Sequence, residues 1–198
     1  RVLRTIMAEG LKADGLGAWI HVGDLFDARS SAENRNACDE LFQTMADKAP
    51  VLVVKGNHDL DGELEGFARL AARWPIVVVT SAQCVRLTCA TGETATVFCL
   101  PFPERSILVS SGVAPADIPQ AAAVALDAIF IGAGAELAAA RKAGDITLMI
   151  GHGTIRGATS SVGQPMGLER DIAIDASQLD RLGPIAKATE HDGGDHLS

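Results

Sequence analysis

Three short polar clusters in this sequence carry the residue types that bind divalent metal ions. They read Gly23-Asp24-Leu25-Phe26-Asp27, Gly56-Asn57-His58-Asp59 and Gly151-His152-Gly153, and each directly follows an apolar run. A carboxylate can bridge two cations, an amide oxygen suits a hard ion, and a neutral imidazole suits Mn, Fe or Zn. Two such ions about 3.5–4 Å apart can polarise a phosphoryl group and activate water for in-line attack. The clusters therefore point to two-metal phosphoester chemistry.

Each cluster also has an ordinary structural interpretation when it is taken alone. An Asp that follows a strand-ending glycine, as Asp24 does, is commonly a helix cap or a turn residue. His152 alone could be an ordinary histidine at the end of a strand. A turn does not need a histidine between Asn57 and Asp59, however, and the three clusters occur together. Their joint occurrence, each after a buried strand, favours the metal site.

The elements around the clusters must bring them together. Continuous apolar runs predict buried strands over residues 18–22, 51–54 and 146–150, and these strands end at the three clusters. Because ligands of open α/β sheets bind at the carboxyl ends of the strands, we expect the clusters to converge on one sheet edge. The glycines allow the backbone to turn sharply there, so that the next side chain points into a shared cleft.

The remaining pattern predicts one α/β domain over residues 1–183. Helical spacing predicts helices over residues 1–11, 32–47, 64–74 and 117–143, the last broken near Gly132 and Gly134, and a final short helix over 177–182. Further strands are predicted over residues 76–79, 84–89, 95–100 and 172–174, with 84–89 and 95–100 paired as an antiparallel hairpin. Alternating helices and buried strands indicate a layered fold with central β-sheets flanked by helices.

The composition is that of a folded protein. The chain has 198 residues, of which 47% are hydrophobic and 21% charged, and this excludes a disordered protein. Asp127 and Glu136 interrupt the most apolar stretch, so we expect no membrane span. The net charge of −8 argues against nucleic-acid binding through overall charge, although bound metal ions add local positive charge. The cysteines form no CxxC pair, which indicates reduced thiols in a cytoplasmic protein, with disulfides or zinc as alternatives.

The order Gly-Asp-x-x-Asp, Gly-Asn-His-Asp and Gly-His resembles the calcineurin-like metallophosphoesterases. Within them, Gly23-Asp24-Leu25-Phe26-Asp27-Ala28-Arg29 looks most like the DNA-repair exonuclease branch of the bacterial SbcD type. Leu100-Pro101-Phe102-Pro103 and Ile150-Gly151-His152-Gly153-Thr154 resemble the same branch. The resemblance extends over residues 1–183 and implies the layered metallophosphoesterase fold, with two divalent metal ions, Mn first and Fe or Zn as alternatives.

The resemblance also implies roles for individual residues. Asp24 would bridge both metals, and Asn57 and His152 would bind the second one. His58 would be catalytic, lying beside the scissile phosphate and protonating the leaving oxygen or stabilising charge on it. Asp27 would support catalysis by orienting His58.

Two further expectations concern residues beside these ligands. Asp59 is expected to hold its loop rather than to bind metal. Arg29 follows the first cluster and could bind a substrate phosphate, with a solvated loop position as the alternative interpretation.

The sequence departs from the family pattern at both ends. The opening Asp-x-His, which supplies ligands to the first metal, would lie before Arg1, and no closing Gly-His-x-His follows Gly183. His191 and His196 are weak candidates for metal binding, and residues 184–198 are expected to be a disordered or divergent tail. We therefore expect an N-terminally truncated chain with a partial second-metal site and little activity of its own.

Three classes of function remain open at this stage. The first is a metal-dependent phosphodiesterase acting on DNA, for which the resemblance implies an SbcC-type ATPase partner and a homodimer. The second is a calcineurin-like phosphatase or small-molecule phosphodiesterase. The third is a degenerate, inactive member that serves as a scaffold.

Overall fold

Three β-sheets and five α-helices form the part of the chain that the computed structural model describes, which is residues 2–26, 29–159, 172–184 and 186–187. The helices are α1 (Val2–Lys12), α2 (Ala32–Lys48), α3 (Arg105–Ser110), α4 (Ile118–Lys142) and α5 (Ala176–Leu179). The strands are β1 (Trp19–Val22), β2 (Val51–Val54), β3 (Ile76–Val79), β4 (Gln83–Thr88), β5 (Thr94–Leu100), β6 (Ile146–Gly151), β7 (Thr154–Ile155), β8 (Ala173–Ile174) and β9 (Ala186–Lys187). Single 3₁₀ turns lie at Phe67–Arg69 and Asp180–Leu182. The predicted α/β class is confirmed.

The first sheet is wholly parallel, in the order β1-β2-β3. Its register places Val22, Val54 and Val79 side by side at the carboxyl edge. The second sheet has the order β4-β5-β6-β9, in which β4 and β5 form the predicted antiparallel hairpin and the other pairs are parallel. β7 and β8 form a small parallel pair. β9 lies within the segment 184–198 that the sequence predicts to be a tail, and His191 and His196 lie outside the described residues.

The two larger sheets face each other across a shared apolar core. In β2, Val51 and Val53 pack towards α2, while Leu52 and Val54 pack towards the second sheet. On the second sheet, Val97 belongs to that shared core. This period-two division gives a helix–sheet–sheet–helix order of layers, which is why β2 and β3 read as continuous apolar runs in the sequence.

α4 covers the outer side of the second sheet. Its Phe130 is fully buried, and its ring meets that of Phe98 edge to face at 5.5 Å between centroids. Leu126 and Leu137 extend this contact along the helix. By length and composition α4 is also apolar enough to cross a membrane, the one such helix among the described residues. Its buried side belongs to the core of the domain.

The predicted break near Gly132 and Gly134 is wrong, since α4 runs without interruption. Gly134 instead provides space, because a Cβ there would lie 2.2 Å from the Arg181 carbonyl oxygen. The glycine thus lets the 3₁₀ turn at Asp180–Leu182 pack directly on the helix. Close approach, and not helix breaking, explains the residue.

The predicted helix over residues 64–74 is also wrong, because only the 3₁₀ turn at Phe67–Arg69 forms there. Leu64 and Phe67 are buried in the core at helical spacing, which is the signal that the sequence offers. At Leu70 the backbone turns to the extended conformation, and the Trp74 N–H donates to the Ala46 carbonyl at 2.9 Å instead of to a preceding turn. The chain must extend here to reach β3.

Replacing Phe130 by Ala should lower the free energy of unfolding by about 3–5 kcal/mol, because a large cavity opens between α4 and the second sheet. Ile131→Ala on the same helix is the matched control, since Ile131 is 53% exposed and its loss should change stability by less than about 0.5 kcal/mol. Urea unfolding of both variants measures the difference. Equal effects would contradict the packing described for α4.

Candidate metal centre

The three polar clusters come together at the carboxyl ends of β1, β2 and β6. The expectation of a single sheet edge is wrong, because β1 and β2 belong to the first sheet and β6 to the second. The two sheets stack with these ends on the same side, and the loops after the strands meet between them. Asp24 and Asn57 therefore approach from one sheet and His152 from the other.

Gly23 and Gly56 allow this meeting. A Cβ on Gly23 would lie 2.3 Å from Nδ1 of His152, and one on Gly56 would lie 2.2 Å from both the backbone N and Oδ1 of Asp24. Gly23 has a φ of 83°, and Asp24 has a φ of 53°, which is in the left-handed region that side chains other than glycine rarely adopt. Asp24 is thus held in a strained conformation, a feature that clusters at functional sites.

The hydrogen bonds of His152 define its tautomer. Nδ1 lies 3.0 Å from the Val22 carbonyl oxygen, which can only accept, so Nδ1 carries the hydrogen. In the neutral ring, Nε2 then presents a lone pair to the other side. Main-chain contact fixes the residue as well, since its N–H donates to the Leu100 carbonyl at 2.9 Å. The imidazole is therefore oriented with its acceptor nitrogen facing the cluster.

Three atoms with lone pairs converge at this point. Nε2 of His152 lies 2.8 Å from Oδ1 of Asn57 and 3.3 Å from Oδ2 of Asp24. The other Asp24 oxygen accepts the backbone N–H of His58 at 3.0 Å. Acceptors crowded together need a cation or a proton between them, so the donor set fits a divalent metal. No group of three His, Cys, Asp or Glu side chains suited to metal occurs among the described residues, and here the third ligand is an amide.

Asp59 braces the loops and is not one of these acceptors. Its side chain is 3% exposed, and its two oxygens accept the backbone N–H groups of Phe26 at 3.2 Å and Gly56 at 2.9 Å. One carboxylate thus joins the first and second clusters. These bonds agree with the loop-holding role predicted for Asp59.

A second brace lies further along the same loops. Glu63 accepts both the backbone N–H and the hydroxyl of Ser30, at 3.1 and 2.8 Å, and Arg35 donates to the Ser30 hydroxyl at 2.8 Å. Burial opposes ionisation of Glu63, but the Ser30 hydrogen bonds, a Leu60 backbone hydrogen bond and the Arg35 charge together outweigh it and lower the pKa of that carboxyl. The loop after Asp24 is thereby attached to the loop after Asp59.

For the other predicted site residues, His58, Arg29 and Asp27, the structure gives less detail. His58 is exposed beside Asn57, and Arg29 is exposed next to Ser30. Asp27 lies outside the described residues. The catalytic role of His58 and the substrate-binding role of Arg29 stay predictions.

A cleft of about 410 Å³ opens beside Asn57. Lys55 lies in its lining and is only 7% exposed, with its ammonium 2.5 Å from Asp61 and 2.6 Å from Glu104. Burial opposes protonation, but these two carboxylates outweigh it and raise the pKa of Lys55. Phe102 of the same cleft packs edge to face on the His152 ring, with 6.1 Å between centroids.

Sequence reasoning missed Lys55, Asp61 and Glu104. One signal was available, because a lysine directly after the fully apolar Val51–Val54 must be buried and therefore paired. The identity of its partners had no local signal, since Glu104 lies 49 residues further along the chain.

Gly56→Ala should weaken Mn binding by at least about tenfold and lower stability by about 1–3 kcal/mol, because the new methyl group collides with Asp24. Gly66→Ala is the matched control, since Gly66 has an ordinary φ of −59° and nothing lies within 4 Å of the position that a Cβ would take. Mn titration followed by electron paramagnetic resonance measures the affinity. Unchanged affinity in Gly56→Ala would contradict the close approach described here.

Comparison with known proteins gives one informative result. Curated proteins yield no significant match. The model of the calcineurin-like phosphoesterase family matches residues 1–172, which include the three clusters and most of the chain. Members of this family hydrolyse phosphoesters and typically bind two divalent metals. The chain therefore belongs to the calcineurin-like phosphoesterase family.

Proposed function

We propose that this domain is a metal-dependent phosphodiesterase whose substrate is DNA. The observation that carries the hydrolytic part is the convergence of Asp24, Asn57 and His152, in which Nε2 of His152 lies 2.8 Å from the Asn57 oxygen and 3.3 Å from an Asp24 oxygen. Family membership supports the same chemistry. The DNA part rests on the likeness of the first cluster to the SbcD-type branch.

Two divalent ions, Mn in our proposal, would provide Lewis-acid stabilisation of the phosphoryl oxygens and activation of the attacking water. Asp24, Asn57 and His152 would hold one of them. The Val22 carbonyl keeps the His152 lone pair directed inward, so the ligand does not need to reorganise. His58 follows Asn57 directly and is exposed at the site, where it would donate a proton to the leaving oxygen.

The same likeness suggests the setting in which the domain acts. We propose an SbcC-type ATPase subunit as its partner, a homodimeric assembly, and a cytoplasmic location. Arg29, exposed beside the first cluster, would bind a phosphate of the DNA strand. Asp27 would orient His58.

A small-molecule phosphoester is the second candidate substrate, and the charge of the cleft favours it. The lining contains two basic side chains, Lys55 and Arg105, and three carboxylates, Asp59, Asp61 and Glu104. Both ion pairs of Lys55 are made within the cleft. A polyanion gains little from such a surface, whereas a compact ester needs only the metal centre.

Three substrates separate the two candidates. With Mn, the DNA phosphodiesterase should hydrolyse bis-p-nitrophenyl phosphate and linear duplex DNA, at the low rate expected of a partial metal site, and it should act on p-nitrophenyl phosphate at least about tenfold more slowly. The release of nitrophenol and the loss of duplex on gels measure these activities. Turnover of the monoester without any cleavage of DNA would overturn the DNA proposal and favour the second candidate.

The proposed roles of the two histidines predict different defects. His152→Ala should weaken Mn binding by at least about tenfold, because it removes a ligand. His58→Gln should leave Mn affinity within about threefold, since the His58 backbone bond to Asp24 remains. It should lower kcat by about a hundredfold through loss of the proton donor. Calorimetric Mn titration and initial rates measure both, and equal loss of Mn binding in the two variants would contradict the division of roles.

A further inference from the structure

Lys55 is a buried cation beside the proposed metal centre, and it has no role in the proposed hydrolysis. It follows the fully buried strand β2, and its side chain is 9% exposed. Its two ion pairs join separate loops, because Asp61 belongs to the turn after Asn57 and Glu104 precedes α3. We call these three residues the Lys55 triad.

The main chain of Lys55 also forms hydrogen bonds to neighbouring segments. Its N–H donates to the Val79 carbonyl at 3.0 Å, which fixes it to β3. Its carbonyl accepts the N–H of Phe102 at 3.2 Å, so backbone and side chain both hold the loop over residues 101–104. This residue is therefore the point at which that loop meets the second polar cluster.

The loop over residues 101–104 in turn contacts His152. The Phe102 ring packs on the imidazole at an interplanar angle of 65°, and the adjacent Leu100 carbonyl accepts the His152 N–H. A physical path thus runs from the Lys55 ammonium through Glu104 and Phe102 to the ring that faces Asn57. The first and last steps are side-chain contacts, and the middle step runs along the backbone from Glu104 through Pro103 to Phe102.

We propose that Lys55 is a positioning residue for this site, and that the Lys55 triad holds the loop over residues 101–104 so that Phe102 orients His152. This inference rests on the proposed function, because His152 matters for catalysis only if it binds the metal. Glu104 carries more of the effect than Asp61, since the Asp61 side chain is 88% exposed and water screens its pair, whereas Glu104 is 37% exposed.

Removing the lysine alone leaves two carboxylates facing each other without their cation. Glu104 should then move away from Asp61 and take the loop with it. Removing the lysine and Glu104 together eliminates this repulsion, because only the Asp61 carboxylate remains. The two methionines can then pack against each other in place of the ion pair, since an apolar pair of similar volume often replaces such a pair with little loss of stability. The double variant therefore distinguishes positioning from a direct role of the lysine on substrate.

The experiment compares the wild-type chain with Lys55→Met, Lys55→Met/Glu104→Met and Glu104→Gln. A proton–carbon correlation spectrum reports the Cε1–Hε1 resonance of His152, assigned by its absence from His152→Ala, and Mn titration reports affinity. Lys55→Met should shift the resonance and weaken Mn binding about tenfold. The double variant should restore both to within about threefold of the wild type, and Glu104→Gln should show an intermediate change.

Lys48→Met is the matched control. The Lys48 ammonium also joins two segments, through the carbonyls of Leu11 and Ala13, but far along α2 from the site. This variant should unfold at a lower temperature and keep the His152 resonance and the Mn affinity of the wild type.

Two results would overturn the proposal. One is a folded Lys55→Met protein with the His152 resonance and the Mn affinity of the wild type. The other is a double variant that is as impaired as Lys55→Met, because the effect would then not pass through Glu104. If Lys55→Met does not fold, the spectrum of Glu104→Gln tests the proposal, and an unshifted His152 resonance in that variant would overturn it. A wild-type chain that binds no Mn counts against the proposed function instead, and the resonance comparison still decides the role of Lys55.

Discussion

The contact of Gly56 with Asp24 is the constraint on which the rest of the site depends. A single added carbon at Gly56 would lie 2.2 Å from the backbone and the carboxylate of Asp24. Asp24 itself remains in a left-handed conformation that costs about 1–3 kcal/mol and persists only where its surroundings enforce it. The surroundings here are the two loops of the first sheet, which Asp59 and the pair of Ser30 and Glu63 bind together.

The layer order explains why His152 can join these loops from outside the first sheet. The two sheets stack through the apolar faces that they turn to each other, and this brings the carboxyl ends of β1, β2 and β6 to one side. The Val22 carbonyl then accepts a hydrogen bond from the imidazole of His152, which follows a strand of the opposing sheet. The geometry that orients the ligand is therefore a direct product of sheet packing, and the polar chemistry depends on the apolar core beneath it.

Sequence reasoning recovered what local chemistry determines. The strands that end at the clusters, the hairpin and the meeting of Asp24, Asn57 and His152 follow from apolar runs, glycine positions and residue type. It failed where tertiary contact overrides local preference: Gly134 permits close packing instead of breaking α4, and after the 3₁₀ turn at Phe67–Arg69 the chain leaves the helical conformation to reach β3. Partners far apart in sequence, such as those of Lys55, leave no local pattern to detect.

The bond between sheets at His152 has a thermodynamic consequence. His152 and Asn57 are 95 residues apart in the chain, yet their side chains meet at 2.8 Å. A cation held between them would act as a reversible cross-link that exists only in the folded state. At a free concentration about a hundred times its Kd, such a ligand adds about 2.7 kcal/mol to the free energy of unfolding. The supply of metal would then govern the fraction of the domain that is folded as well as its chemistry.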